Sequence, residues 1–242
     1  MKAKNLAGIF LLLFCTVGWV SCDHEDDGIR GFMQEATISG DSIDGYYCYL
    51  DGGGLAISYN RELAGIERGY FSVNYLEKDW KTTADNTIHI DNAYVIPYSV
   101  YQVIRPISLE EAESQHILDK DSCSTPPLLT LSYGYRGYFD FNTGLSVVNP
   151  KNVEKMPVRL HIVYDPAKQT PDTLRLQLCY NPSIPDTWLN TSFDYGSASC
   201  DISSLATLQQ WSDSVTIVLE AGDTRKHATK ISKDDFRKPD IK

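Results

Sequence analysis

The chain has 242 residues, with 32 acidic side chains against 22 basic ones, a formal charge of −10 and 42% hydrophobic residues. So acidic a chain repels phosphate backbones and anionic headgroups, which argues against nucleic acid as a partner. Its apolar content suffices for packed cores, no low-complexity stretch argues for bulk disorder, and the length suits one large domain or two small ones.

Residues 1–21 carry the parts of a secretory signal peptide. Lys2 and Lys4 give a positive start, Leu6 to Phe14 is an apolar run broken only by Ala7 and Gly8, and small residues lead up to Cys22. Even counted to Val20 the run is short for a membrane span, and its acidic sequel argues against a retained helix. Val20-Ser21-Cys22 resembles the lipobox of bacterial lipoproteins, with Trp19 standing where Leu or Val is usual. That resemblance implies that the Cys22 thiol takes a diacylglycerol and the new N-terminus is acylated; a plain cleavage site beside a cysteine is the alternative. Cys15 follows the bulky Phe14 and reads as a passenger in the apolar run. Each buried methylene contributes about 0.8 kcal/mol and one acyl chain holds only marginally, so two or three chains give durable attachment.

Asp23, Glu25, Asp26 and Asp27 follow at once, and residues 22–40 are expected to form an acidic, self-repelling tether behind the lipidated cysteine. Asp23, Glu25, Asp27 and Gly28 echo the front of an EF-hand loop, but position twelve of that frame is Gln34, which argues against calcium. Acidic residues just after a lipidated cysteine also resemble the surface-export signals of some Gram-negative anaerobes. On that resemblance the protein sits in the outer membrane, facing outward. Removal of residues 1–21 takes away Lys2 and Lys4, so the bases fall from 22 to 20 against 32 acids and the charge moves from −10 to −12.

Strand signals follow. Tyr46–Leu50 and Leu55–Tyr59 flank Asp51-Gly52-Gly53-Gly54, a hairpin whose glycines supply positive φ. Arg68 to Glu77 alternates with Phe71, Val73 and Tyr75 on one face. Lys78 to Asn86 reads as a polar loop in which Trp80 is out of place. Thr87 to Ile96 and Val100 to Ile107 give two more strands, split by Pro97. Five such strands suit a small barrel or a partly open one over residues 41–118. Ser108 with Glu111 marks a capping box that opens a short helix to about Leu118. Residues 119–127, with charges and two prolines, read as a linker. Over residues 128–222 strands are expected at Leu128–Tyr135, Gly137–Val148, Pro157–Tyr164, Thr173–Tyr180 and Ser214–Ala221. Arg159, His161 and Val163 alternate with Leu160 and Ile162, and Leu174, Leu176 and Leu178 with Arg175, Gln177 and Cys179. One wet and one dry face predicts an antiparallel sheet in a β-sandwich. Ser203 to Trp211 reads as a short helix, and residues 223–242 as a frayed polar tail. The expected fold class is therefore all-β, a five-stranded barrel followed by a sandwich.

The chemistry is sparse. There is no G-x-S-x-G, H-E-x-x-H, Walker loop or dinucleotide fingerprint, so no catalytic and no cofactor-binding residues are assigned. No helix follows Gly52–Gly54 to make a phosphate cradle. His24, His89, His116, His161 and His227 are scattered, without a cysteine or carboxylate at ligand spacing, so no metal is expected. Carboxylates are plentiful, and a glycosidase-like pair is defined by separation in space rather than in sequence. Cys48, Cys123, Cys179 and Cys200 allow three pairings, or stay buried as thiols. Tyrosine stands out, with 15 residues. On strands these read mainly as core; the sharper reading is an aromatic platform for sugars, since open barrels bind oligosaccharides across a sheet face.

Two stretches carry a family resemblance. YYCYLDGGGLAISYN, ERGYFSVNYLEKDW and AYVIPYSVYQVIRPIS look like the N-terminal domain of NigD-like lipoproteins, and LTLSYGYRGYFDFNTG, LHIVYDP, DTLRLQLCYNPSIPD and CDISSL resemble their C-terminal domain. The resemblance implies an OB-like barrel, then a β-sandwich, on a lipid anchor; it brings no catalytic residues. It also suggests a host that O-glycosylates Asp-Ser/Thr-hydrophobic tripeptides, which Asp41-Ser42-Ile43, Asp172-Thr173-Leu174 and Asp213-Ser214-Val215 fit. The expectation is a non-enzymatic outer-membrane lipoprotein whose partners are the membrane, through Cys22, and a glycan or envelope protein. A hydrolase with an unrecognised carboxylate pair and a bacteriocin-associated partner-binding protein are the alternatives.

Overall fold

A computed structural model describes residues 28–84, 86–119, 123–127, 129–131, 135, 137–188, 190–207, 212–222 and 225–232. The first correction comes at once. The stretch expected as tether holds the longest strand, β1 (Ile29–Asp41), paired on one side with β2 (Gly45–Leu50) and on the other with β4 (Arg68–Leu76). Phe32, Ala36 and Ile38 line its inner face, a period-two pattern that the polar Gln34 between them disguises. The expected hairpin is present: β2 pairs antiparallel with β3 (Leu55–Ser58). Beyond β3 lie β6 (Ile88–Ile90) and β5 (Trp80–Thr82), and beyond β4 lies β7 (Tyr94–Val100), giving a seven-stranded sheet in the order β5-β6-β3-β2-β1-β4-β7. Trp80, out of place in a loop, packs against Phe32 and Tyr75.

The sheet curls around Leu50, Leu63, Phe71, Val73, Ile90 and Val95. Among the described residues no strand ladder closes it. The β7 edge meets the far end of β3 instead: the Ala93 N–H donates to the Ile57 carbonyl at 2.8 Å, Ser58 Oγ accepts from the Val95 N–H at 3.3 Å, and Asn60 Nδ2 donates to the Val95 carbonyl at 2.8 Å. The expected five-stranded barrel is thus an open sheet of seven strands pinned along one seam. Pro97 does not split a strand but sits inside β7, an edge strand where a missing N–H breaks no ladder.

The chain then crosses to the sandwich. The strand expected over Val100 to Ile107 divides at Pro106 into β8 (Gln102–Ile104) and β9 (Ile107–Ser108), which join the two sandwich sheets rather than the first sheet. Ser108 caps α1 (Leu109–Ser114) as expected, its Oγ accepting from the Glu111 N–H at 3.2 Å, although the helix stops short of Leu118. One sandwich sheet has β10 (Thr130–Leu131), β11 (Tyr138–Val148), β15 (Ser192–Asp201) and β8 in order, with β12 (Lys155–Pro157) against β11. The other runs β17 (Arg225–Ser232), β16 (Ser214–Ala221), β14 (Thr173–Asn181), β13 (Arg159–Tyr164), β9. Phe139, Phe141, Leu160, Ile162, Leu174, Leu176, Leu178, Ile217 and Leu219 fill the space between them.

The protein is predominantly β, as expected, but the sandwich is mixed rather than purely antiparallel. β8 runs parallel to β15, β9 to β13, and β14 to β16, because chain arriving from the first sheet and chain crossing between sheets re-enters in the same direction. Two further corrections concern strands. Residues 225–232, expected as frayed tail, form β17, and residues 203–207 of the expected short helix form a single 3₁₀ turn. Cys123 and Cys179 are joined, tying the segment after α1 to β14, while Cys48 and Cys200 remain buried thiols.

Candidate functional site

Cys22, the lipid-attachment residue, lies outside the described residues, as do the acidic residues 23–27 and His24. The described chain offers two features for function: a buried charged seam between the first sheet and the sandwich, and an exposed aromatic face beside it.

The seam centres on Arg68, whose side chain is fully buried. It sits at the start of β4 opposite Thr37 of β1, on the sheet's outer face. Its Nε donates to Asp140 Oδ1 at 2.9 Å and its Nη2 to Asp140 Oδ2 at 2.6 Å. Nη1 and Nη2 bond Asp51 Oδ1 and Oδ2 at 3.0 and 2.6 Å, and Nη1 also reaches Thr37 Oγ1 at 3.2 Å. A guanidinium has five N–H donors in a fixed fork, and all are used here. The Tyr138 ring lies 5.1 Å from the guanidinium carbon. Beside it Tyr138 Oη donates to Glu67 Oε1 at 2.8 Å, and Arg105 Nη2 bonds the same carboxylate. Thr37, Asp51, Glu67 and Arg68 belong to the first sheet and its turns; Asp140 and Tyr138 belong to β11 of the sandwich.

Burial works against the Arg68 charge, but its bonds to Asp51 and Asp140 outweigh that and hold its pKa above the usual arginine range. Burial pushes the Asp51 carboxyl up, opposed by Arg68. Burial, then the nearby Asp140 and Glu35 carboxylates, push the Tyr101 phenol up to about 12, so it stays protonated at neutral pH. Asp51 and Asp140 are brought together on one cation, Arg68, and Glu67 and Asp201 on a second, Arg105. A general acid needs a transferable proton and a water-accessible partner; the Asp51 and Asp140 pair is committed to holding two β units together.

The second feature is the outer face of β1, β4 and β7, continuous with the seam. Cross-strand rows run Glu35–Tyr70–Ser99, Met33–Ser72–Ile96 and Gly31–Asn74–Tyr94. Tyr94 is 56% exposed and Tyr98 76%. The register between β4 and β7 shifts at Tyr70/Phe71, where Tyr98 is the extra residue, and its ring meets Tyr70 edge-on at 6.0 Å. The core reading of the tyrosines holds at Tyr46, Tyr138 and Tyr180, whereas Tyr94 and Tyr98 are displayed to solvent.

The remaining candidates are dispersed. His89 faces Asp91, His116 faces Asp119, and His161 is half-buried on β13. Among the described residues no group of three or more His, Cys, Asp or Glu could hold a metal ion, and no helix is long and apolar enough to cross a membrane. Of the three Asp-Ser/Thr tripeptides, Asp41-Ser42-Ile43 forms an exposed turn, with Ile43 84% exposed, whereas Leu174 and Val215 of the other two are buried.

The class that these features define is a predominantly β protein, a curled sheet clamped to a sandwich. No protein-family model matches the chain, and no curated protein matches it in sequence. Solved structures do. A candidate lipoprotein from Bacteroides fragilis is similar with a TM-score of 0.53 and 11% identity over 84% of this chain and 98% of that one, which establishes a shared fold. The neighbours also include a NigD-like immunity protein from Bacteroides caccae, with a TM-score of 0.45 and 16% identity over 84% of this chain and 92% of that one.

Proposed function

We propose that the chain is a NigD-like cell-envelope lipoprotein, held on the outer membrane by acyl chains on Cys22, that works by binding rather than by catalysis. One observation carries the choice of binding over catalysis: the buried carboxylates Asp51 and Asp140 are consumed in clamping Arg68, and Glu67 in bonds to Tyr138 and Arg105, while the aromatic face beside them is left exposed. Lipid anchoring rests on the signal segment and Val20-Ser21-Cys22, and the resemblance to a candidate lipoprotein agrees with it. Residues 1–21 would then be the signal and a short acidic stretch, 23–28, the tether, ahead of β1. Replacing Cys22 with alanine tests the anchor. The full-length protein is expected in the envelope fraction, accessible to added protease on whole cells, and the Cys22→Ala variant in soluble fractions. Unchanged partitioning of the variant would remove the anchor from the account.

A further inference from the structure

We propose that the outer face of β1, β4 and β7 is a binding shelf for a neutral saccharide chain, an inference that rests on the binding function above. The shelf is built rather than incidental. A β-bulge re-aims the side chain of its extra residue, and here that residue is Tyr98, fixed by Pro97 before it and by the edge-on Tyr70 ring. Tyr94 stands one row beyond Ile96 on the same strand. Ile96 lies between the two rings on β7, and beside them on β4 stand Ser72 and Asn74, the Asn74 Nδ2 donating to Ser72 Oγ at 3.2 Å. Rings separated by an apolar side chain and flanked by hydroxyl and amide groups suit a pyranose, which offers an apolar C–H face to an aromatic ring and hydroxyls around its rim.

Charge and edge chemistry separate the saccharide from other occupants. The chain carries −10, and the three rows hold a single side chain charged at neutral pH, Glu35, at the seam end. A polyanion is repelled by such a protein and so is a second copy of it, whereas an uncharged polyhydroxylated chain matches an uncharged shelf. An extended peptide adding to the β7 edge is blocked. The Val95 N–H and carbonyl are already bonded to Ser58 and Asn60, and Pro97 has no N–H to offer. The shelf is also pre-organised, because the row next to Glu35–Tyr70 is Thr37–Arg68, locked in the seam.

The test is titration calorimetry of the full-length protein in detergent against maltohexaose, cellohexaose, mannohexaose and chitohexaose, with polygalacturonate as the anionic control. Saturable binding of at least one neutral probe is expected, with affinity falling about ten-fold or more in Tyr98→Ala and in Tyr94→Ala. Tyr98→Trp should retain binding, and Tyr59→Ala, an exposed tyrosine off the shelf, should leave it unchanged. Melting temperatures of the variants keep loss of folding apart from loss of the shelf. No saturation by any neutral probe, equal binding of polygalacturonate, or affinity indifferent to Tyr98 and Tyr94 would overturn the shelf and leave the anchor standing. Cleavage of a bound probe, seen by chromatography, would instead overturn the non-catalytic function and leave the shelf.

Discussion

In the sandwich, two sheets bury their inner faces against each other, and Phe139, Leu174 and Ile217 are wholly enclosed between them. The first sheet has no such partner. It curls on its own core, has its β7 edge pinned to the end of β3 by Ser58 and Asn60, and gives one end of its outer face to the sandwich. The difference teaches where each unit keeps its specificity. Apolar periodicity is enough to define the sandwich, because many leucine-sized contacts share the load. The first unit depends on a few polar residues whose bonds have no substitutes.

The comparison is easiest to break at Arg68. Replacing it with methionine removes five hydrogen bonds and leaves Asp51 and Asp140 in the seam without a cation. Breaking a buried pair in this way costs about 3–5 kcal/mol, readable in denaturant titration. A loss no larger than that of an exposed ion pair would mean that the seam is decorative. Asn60→Ala sharpens the picture at smaller scale. It leaves the buried Val95 carbonyl unpaired, for about 1–3 kcal/mol and faster amide exchange along β7. A sheet closed mainly by packing would not register the change.

Legibility in the sequence follows clean alternation in either unit. Leu174, Leu176 and Leu178 alternate cleanly, and β14 lies where that alternation placed it. β11, β13 and β16 were legible for the same reason. The strand β15 gives no clear sequence signal because Gly196, Ser197 and Ser199 dilute its pattern, although Ala198 and Cys200 are fully buried. The sequence of β17 reads as a tail because Arg225, Lys226, His227 and Lys230 make it basic; among its residues only Ile231 is buried, and charged edge strands resist further pairing. β1 was hidden by its polar residues and by the acidic run before it.

The seam left no local signal. Arg68 and Asp140 are 72 residues apart, Arg68 and Asp51 are 17 apart, and each sits in a stretch whose own alternation already looks complete. Only the docking of one folded sheet on another brings them together. The aromatic shelf was half legible: the tyrosine surplus pointed to it, but which rings face water is decided by a bulge that propensity does not reveal.

The account holds most firmly, or fails, on whether the two units form one body. Calorimetric unfolding of the full-length protein in detergent measures this directly. A single cooperative transition is expected, because Arg68 and Asp140 tie the sheet to the sandwich through buried charge. Two separate transitions in the unmodified protein would contradict it.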